Sequence, residues 1–380
     1  MTQTSEYWLR PDALFDGRDL QTEAALFVQN GRIADIGPIA EIPDSATIEP
    51  RSGILSPGFF DLQVNGGADV LFNTSRTPEA LAHIAAAHRK TGTTHWLPTV
   101  ITDEPVVMAQ ACDAVCATFG SHGVAGIHIE GPHISLARRG THAEKWIRPF
   151  DDHTLSQVRK MRAKGIPVLI TVAPESITPA QVTDLADIGA VVSLGHTDVK
   201  SADVRRLLDA GASVFTHLFN AMSQMENREP NVVGTAINSK AYCSVIADGL
   251  HVDLDMIGLA IRARPVPDHM ILVTDAMPSV GGKPEFILYG QPVRLLGGRL
   301  INAEGSLAGA HVTMPEGLSN LVNKVGVSVV DALRMATSNP AAAMGVGTEI
   351  GVLAKGTALS DLVMVAPDMS DAVPLTAPAV

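Results

Sequence analysis

Short apolar runs, separated by stretches with helical spacing, dominate the middle of the chain. Eight of these runs have the length and the β-branched or aromatic content of buried strands. Between most of them, apolar residues recur every three or four positions, and several of these stretches end in glycine, as helices commonly do. The eight runs are 58–64, 94–100, 124–130, 167–173, 190–196, 213–217, 243–248 and 270–275.

This alternation predicts an α/β fold, a (β/α)₈ TIM-type barrel whose parallel strands are covered by helices. An open doubly wound sheet is the second alternative. The glycine-rich GxGxxG turn of many such sheets is absent after the first strand, which favours the barrel. With 380 residues, the chain is long enough for a barrel and a smaller accessory unit.

The two ends of the chain have a different, strand-rich texture. The segment ALFVQNGRIADIG at 25–37 alternates on both sides of Asn30-Gly31, a pair that suits a type I′ hairpin turn. The segment DLVMVAP at 361–367 is another strand candidate. We therefore expect 1–55 together with 348–380 to form a small β-sandwich domain, and 56–347 to form the barrel.

Charge and composition narrow the classes of ligand. The formal net charge of −12 and an aromatic content of 4% disfavour nucleic acid and anionic membranes as partners. An anionic ligand would need a cation placed locally. The first residues lack the pattern of a signal peptide, no apolar run reaches the length of a membrane span, and there are only three cysteines. These features predict a cytoplasmic protein.

Ionisable residues stand at the ends of four predicted strands. The third strand ends in Glu130, the fifth in His196, the sixth in His217 and the eighth in Asp275. A single residue of this kind would be interpreted as a helix cap or a loop residue. The carboxyl ends of all strands of a barrel meet at one rim, however, so these four side chains are expected to lie close together.

Two imidazoles and one carboxylate form a usual three-ligand set for catalytic zinc, with one position left open. A metal of this kind makes hydroxide available at a pH of about 7. Asp275, beside such a site, could act as base and then as acid. The rim therefore predicts a metal-dependent hydrolase, with zinc as the first choice of metal and iron, manganese or cobalt as alternatives. Because the first barrel strand carries amides in place of histidines, we expect one divalent metal per subunit.

The first barrel strand carries amides where many metal-dependent hydrolases carry two histidines. Gln63 and Asn65 are two positions apart and so share a face of the strand. Amides bind zinc poorly compared with imidazole, so we expect both to lie near the site as hydrogen-bonding groups and not as ligands. His142 and His251 are predicted in loops on the active rim, whereas His83, His88, His122 and His153 are predicted on the surface.

Longer motifs resemble a known family. PGFFDLQVNGG, HIEGPHIS, RRGTHAEK, FTHLFNAM, IADGLHVD and LVTDAM, in this order and over nearly the whole chain, resemble N-acetylglucosamine-6-phosphate deacetylases, a branch of the amidohydrolase superfamily. The resemblance implies hydrolysis of the N-acetyl amide of a sugar phosphate. It implies Glu130, His196 and His217 as metal ligands, and Asp275 and His142 as catalytic residues.

The resemblance also implies a substrate site and a homodimer. Arg228 and His251 are implied to reach the phosphate across the subunit interface. The implied substrate-binding residues are Thr141, His142, Asn220, Ala221, Arg228, His251, Leu307, Ala308 and Gly309. Departures from the family pattern are Ala310 and His311 beside the sugar pocket, and a C-terminus without the usual closing strand.

Alternative functions remain open at this point. The N-acetylgalactosamine-6-phosphate epimer would be hydrolysed by the same chemistry. A cyclic-amide hydrolase or a deaminase of the superfamily would be expected to carry histidines on the first strand, and this chain has none there. A non-catalytic scaffold would be expected to have lost Asp275 or a ligand, and all four residues are present.

Overall fold

The computed structural model describes residues 6–376 and contains two large sheets, a smaller antiparallel sheet and ten α-helices in that range. The strands are β1 (Glu6–Phe15), β2 (Leu20–Gln21), β3 (Ala24–Gln29), β4 (Arg32–Pro38), β5 (Ile48–Pro57), β6 (Phe59–Val64), β7 (Gly66–Gly67), β8 (Val70–Leu71), β9 (Thr93–Ile101), β10 (Ile127–Glu130), β11 (Val168–Val172), β12 (Val191–Leu194), β13 (Val214–Phe215), β14 (Tyr242–Val245), β15 (Met270–Leu272), β16 (Glu285–Leu288), β17 (Gln291–Leu296), β18 (Arg299–Ile301), β19 (Leu307–Ala310), β20 (Leu362–Val365) and β21 (Ala372–Pro374).

The helices fall mainly between the strands of the barrel. They are α1 (Pro78–Arg89), α2 (Pro105–Thr118), α3 (Asp152–Arg162), α4 (Pro179–Asp187), α5 (Ser201–Asp209), α6 (Asn231–Asn238), α7 (Leu254–Ala263), α8 (Met314–Asn320), α9 (Val329–Ala336) and α10 (Ser338–Ala343). Short helical turns lie at Ile39–Glu41, Leu136–Arg138, Glu144–Trp146, Pro267–His269, Leu321–Val325 and Leu359–Asp361. No helix within 6–376 is long and apolar enough to cross a membrane.

Eight parallel strands form the central sheet in the order β15-β14-β13-β12-β11-β10-β9-β6. A parallel bridge from Val64 to Ala276 brings the two outer strands of this order together, so the sheet curls into a nearly closed barrel. These strands coincide with the eight runs found in the sequence, and the prediction of a (β/α)₈ barrel is confirmed. The apolar pattern succeeded because each strand is buried on both faces.

Local sequence sets where the barrel helices begin. Thr77 precedes α1, and its side chain accepts a hydrogen bond from the backbone N–H of Ala80, while Pro78 occupies the first turn. Thr178 and Gln181 form a capping box at the start of α4. Each such cap satisfies N–H groups that the helix leaves unpaired, and is worth about 1 kcal/mol.

The two ends of the chain meet in one sheet beside the barrel. Its order is β21-β20-β5-β1-β3-β4, with β2 paired to β1, so strands from both termini contribute. The predicted hairpin turn is present, since Asn30 and Gly31 have φ angles of 53° and 70° between β3 and β4. The prediction of a separate β domain is confirmed. The domain boundaries stay a proposal, in which residues 56 and 57 join the β domain because β5 extends to Pro57.

A four-stranded antiparallel sheet, β16 to β19, was not predicted. It is inserted after β15. Two of its three connections are tight turns, at Tyr289-Gly290 and Gly297-Gly298, and all four of these residues have positive φ. Its strands are short and exposed on one side, so they lack the continuous apolar runs that identified the barrel strands. The insertion lies over the carboxyl rim and brings Leu307 and Gly309 to the cavity described below.

Candidate active site

Four strand ends converge at one point on the barrel rim. Oε1 of Glu130, at the end of β10, lies 3.2 Å from Nε2 of His196 and 3.1 Å from Nε2 of His217. The two Nε2 atoms are 3.1 Å apart. All three side chains are buried, and Asp275 lines the same cavity.

The backbone is unusual at three of these four positions. His196, His217 and Asp275 have φ angles of 49°, 34° and 51°, a region that residues other than glycine rarely adopt. Each residue follows the last hydrogen-bonded residues of its strand, so the left-handed conformation turns its side chain over the end of the barrel. Conformations of this kind cost free energy and concentrate at functional sites.

The arrangement of donors fits a divalent metal. Nδ1 of His196 lies 2.8 Å from the carbonyl oxygen of Arg138, which can only accept, so Nδ1 carries the hydrogen and Nε2 presents its lone pair. This lone pair faces a carboxylate oxygen of Glu130 and a nitrogen of His217. A cation bound between these three atoms would stabilise the arrangement. Burial alone would raise the pKa of Glu130, but the two histidines hold that pKa well below its usual range.

A second grouping shares two of these residues. Ligand atoms of Glu130, His142 and His196 lie within 4.8 Å of one another. His142 and His217 are therefore both placed to supply a third ligand. Nε2 of His217 lies 3.1 Å from Oε1 of Glu130 and 3.1 Å from Nε2 of His196, and these short separations favour His217. The ring of His142 lies 4.5 Å from that of His196, measured between centroids.

The two amides of the first barrel strand hold carboxylates. Nε2 of Gln63 lies 3.1 Å from each carboxylate oxygen of Glu130 and 3.1 Å from Oδ1 of Asp275. Nδ2 of Asn65 donates to the same Oδ1 at 2.6 Å. Both side chains are about 1% exposed. Facing carboxylates with their N–H groups, they act here as hydrogen-bond donors.

Asp275 is placed and tuned for proton transfer. Burial, with the nearby charge of Glu130 as the next cause, raises the pKa of Asp275 to about 7. A group with a pKa near the working pH can both accept and return a proton. Its Oδ1 receives both strand amides, which leaves Oδ2 free of hydrogen bonds from the described residues.

Asp61 is a buried carboxylate that the sequence reasoning did not single out. It accepts hydrogen bonds from the hydroxyl and the backbone N–H of Thr274 and from the backbone N–H of Gln63. It therefore joins the strand that carries the amides to the residue preceding Asp275. Burial raises the pKa of Asp61 to about 7. A charged residue within a run of buried apolar positions was the signal that could have identified it.

A cavity of about 390 Å³ opens above these residues, within the usual size range of small-molecule sites. Most of the predicted site residues line it. They are Asn65, Glu130, Thr141, His142, His196, His217, Asn220, Ala221, His251, Asp275, Leu307 and Gly309. Arg138 also lines the cavity and was missed, because a loop arginine carries no distinguishing pattern; it pairs with Asp198 at 2.7 Å.

Three predicted site residues do not line the cavity. Gln63 lies beneath it, bonded to Glu130, and Ala308 is buried with its neighbours on the inserted sheet. Arg228 is exposed in the loop before α6.

His251 corrects one expectation. It was implied to arrive from a neighbouring subunit, but it lines the cavity of its own chain. Nδ1 of His251 bonds to Oδ2 of Asp248 at 2.7 Å, and the backbone N–H groups of Leu250 and His251 donate to Oδ1 of the same carboxylate. The loop after β14 opens onto the same rim as the other strand ends, so no second subunit is needed to deliver this side chain.

The prediction for His88 was also wrong. It was expected on the surface, yet it is buried on α1 and bonds to the carbonyl oxygen of Gly66 at 2.8 Å. Its side chain faces the loop that follows the first barrel strand. The helical pattern alone did not reveal that a polar ring would satisfy a buried carbonyl there.

Comparisons with known proteins agree with this arrangement. The model of the amidohydrolase family matches residues 54–379. An N-acetylgalactosamine-6-phosphate deacetylase of Shewanella sp. (strain ANA-3) is 41% identical over 76% of this chain and 74% of its own length. An N-acetylglucosamine-6-phosphate deacetylase of Haemophilus influenzae is 30% identical over 92% of this chain and 93% of its own.

A solved structure extends the similarity to the whole architecture. The crystal structure of N-acetylglucosamine-6-phosphate deacetylase from Pasteurella multocida is 31% identical, covers 97% of both chains and superposes with a TM-score of 0.90. The similarity in overall fold thus agrees with the match to the family model. The chain belongs to the amidohydrolase family.

Proposed function

We propose that the protein hydrolyses the N-acetyl amide of N-acetylglucosamine-6-phosphate, giving glucosamine-6-phosphate and acetate in amino-sugar metabolism. The observation that carries the proposal is the convergence of Glu130, His196 and His217 beside Asp275 in one cavity of small-molecule size. The names of the relatives supply the substrate class.

We propose one divalent metal per subunit, zinc first, held by Glu130, His196 and His217. When bound, the metal would supply a water of lowered pKa and would polarise the acetyl carbonyl. The strand amides Gln63 and Asn65 would stay outside the ligand set, because their N–H groups are directed at carboxylates.

Two residues of the chain have separate roles in the proposed reaction: Asp275 transfers protons, and His142 stabilises the negative charge that develops on the substrate. In the proposed reaction, Asp275 takes a proton from the attacking water and then delivers it to the departing amine nitrogen. His142 donates a hydrogen bond to the carbonyl oxygen as negative charge grows on it. Burial in the cavity strengthens both interactions, since water competes less for the charged groups.

The sugar phosphate would lie toward Asn220, Ala221 and His251. His251 is held by Asp248, so its Nε2 is the ring nitrogen left for the ligand. We propose that Arg228 reaches the phosphate of a neighbouring subunit in a homodimer. Arg228 is exposed and is not among the residues that line the cavity of its own chain, which supports this assignment.

The galactosamine epimer is the second candidate substrate. It is favoured by the 41% identity to an N-acetylgalactosamine-6-phosphate deacetylase, which exceeds the 30% identity to the Haemophilus influenzae glucosamine enzyme. The two sugars differ at one hydroxyl, so the same reactive centre would serve either.

Acetate release from a panel of substrates tests the proposal. The panel contains both N-acetylhexosamine 6-phosphates and both sugars without phosphate, assayed with zinc-loaded protein. The proposal expects the glucosamine phosphate to give the highest kcat/KM and the unphosphorylated sugars to react poorly. A preference for the galactosamine phosphate would select the second candidate. Absence of acetate from all four would favour a non-catalytic scaffold.

We further propose that the protein works in the cytoplasm. Cys112, Cys116 and Cys243 are all free thiols. Burial raises the pKa of Cys112 and of Cys243 to about 12, which keeps them as thiols and fits a reducing compartment.

A further inference from the structure

We propose that Thr102 is a positioning residue that fixes the tautomer of His142 and thereby makes this ring a hydrogen-bond donor to the substrate instead of a metal ligand. The inference rests on the proposed function for its catalytic consequence. The position of the ring hydrogen of His142 is inferred from contacts within the chain and does not depend on the proposed function.

The contact is short and buried. Oγ1 of Thr102 lies 2.6 Å from Nδ1 of His142, and the two residues are 0% and 3% exposed. Within 6–376, this is the one hydrogen bond that the hydroxyl makes. A buried hydroxyl hydrogen without an acceptor costs free energy, so the favoured arrangement has Thr102 donating to Nδ1.

That arrangement determines what His142 can do. A neutral imidazole carries one hydrogen, so an acceptor at Nδ1 places the hydrogen on Nε2. Nε2 makes no hydrogen bond to the described part of the chain, and His142 lines the cavity. The ring therefore presents an N–H group to the cavity. A metal ligand would instead have to present a lone pair there.

His196 is the internal comparison, because its neighbour forces the opposite tautomer. Its Nδ1 faces the carbonyl oxygen of Arg138 at 2.8 Å, and a carbonyl can only accept. The hydrogen is therefore on Nδ1, and the lone pair of Nε2 faces Glu130 and His217. Two adjacent rings, 4.5 Å apart between centroids, are thus assigned to different tasks by a hydroxyl and a carbonyl.

The position of Thr102 is itself held from two sides. The hydroxyl of Tyr289, on the inserted sheet, donates to the carbonyl oxygen of Thr102. Gly131 packs against the threonine hydroxyl so closely that a Cβ atom there would lie 2.3 Å from Oγ1. The hydroxyl therefore has little freedom to turn away from His142.

Nuclear magnetic resonance of zinc-loaded, ¹⁵N-histidine-labelled protein tests the assignment directly. Two-bond correlations between the carbon-bound hydrogens and the nitrogens of the imidazole ring distinguish the tautomers. A His142→Gln variant identifies the signals of that ring, because they are missing from its spectrum. The proposal expects hydrogen on Nε2 for His142 and on Nδ1 for His196. Hydrogen on Nδ1 of His142 in the wild-type protein would overturn it.

Kinetics of two Thr102 variants test the consequence. Thr102→Val should lower kcat by about tenfold to a hundredfold, less than the loss of a whole oxyanion donor, with KM within about twofold and unchanged zinc content. Thr102→Ser, which keeps the hydroxyl, should stay within about threefold of wild type. Equal kcat for the valine and serine variants would contradict the proposal.

The two tests separate failure of this inference from failure of the proposed function. Protein that shows the expected tautomers but releases no acetate would leave the positioning role intact and remove the function. Active protein with the opposite tautomer of His142 would do the reverse. If Thr102→Val fails to fold, the wild-type spectrum and the serine variant still decide.

Discussion

The two ends of the active-site cavity are built differently. At the proposed reactive end, Glu130, His196 and His217 lie at strand ends, are almost fully buried and contact one another. At the proposed phosphate end, the contributors lie on loops, and Arg228 is exposed and away from the cavity of its own chain. The difference is consistent with the proposal that one chain completes the reactive centre, whereas a second chain contributes to recognition of the phosphate.

Removal of the metal should have the largest effect on acetate release, because the proposed reaction needs the metal to lower the pKa of the attacking water. Exhaustive chelation, or the Glu130→Gln substitution, is expected to reduce acetate release below detection and to lower bound metal from about one per subunit to a small fraction. Metal analysis and activity after adding zinc back check this. Full activity in metal-free protein would contradict the metal-dependent account.

Asp275→Asn should have the next largest effect. The substitution keeps the size of the side chain but removes the group that exchanges a proton, so kcat is expected to fall by about a thousandfold or more while KM changes little. Asp268→Asn, an exposed aspartate that pairs with Arg334, is the matched control and should be neutral. A kcat near wild type for Asp275→Asn would remove the proposed proton transfer.

Arg228→Ala tests the other end of the cavity. Loss of a charge-assisted contact to phosphate is expected to raise KM for the phosphorylated sugar by about tenfold to a hundredfold, with kcat within about threefold. The unphosphorylated sugar should be unaffected. Arg205→Ala, an exposed arginine on α5, serves as the control. Similar KM values for both variants would show that Arg228 does not contact the ligand.

The smallest effect is expected in the stability of the protein as pH changes. The pKa of Asp61 is raised to about 7 in the folded state, from an ordinary value of 3.8. Between these values the folded state keeps a proton that the unfolded state loses. Asp61 therefore makes the free energy of unfolding fall as pH rises, by about 1.4 kcal/mol per pH unit, and leaves it level outside this window.

Asp61→Asn should remove that contribution. Urea unfolding at intervals from about pH 3 to about pH 7 is expected to show a flatter dependence of the free energy of unfolding for the variant, and the difference in slope should vanish below the lower pKa. The substitution keeps a polar side chain beside Thr274, so the fold should survive. Parallel curves for variant and wild type would show that Asp61 does not retain its proton in the folded protein.

Much of the fold could be predicted because the barrel strands are buried on both faces and appear as continuous apolar runs. The hairpin at Asn30-Gly31 was predictable because its turn demands positive φ. The inserted sheet was not, since its short strands alternate weakly and carry exposed residues such as Ile287 and Leu296. Pattern alone identifies strands that are buried on both faces, and misses short strands that are exposed on one side.

The candidate site also has a part that the sequence pattern predicts and a part that it does not. Glu130, His196, His217 and Asp275 could be grouped because the barrel predicts where strand ends meet. The origin of His251 could not, since it depends on how the loop after β14 folds back onto its own rim. The tautomers of His142 and His196 could not be predicted from the sequence either, because they depend on hydrogen-bond partners such as Thr102 that are distant in the sequence and belong to no motif.

Anomalous diffraction from crystals of the zinc-loaded protein, measured at the zinc absorption edge, tests the central claim most directly. The account predicts one fully occupied peak per subunit, with oxygen of Glu130 and Nε2 of His196 and His217 at about 2.0–2.2 Å. Gln63 and Asn65 should remain bonded to carboxylates. Two fully occupied peaks, or a peak ligated by Gln63, Asn65 or His142, would contradict it.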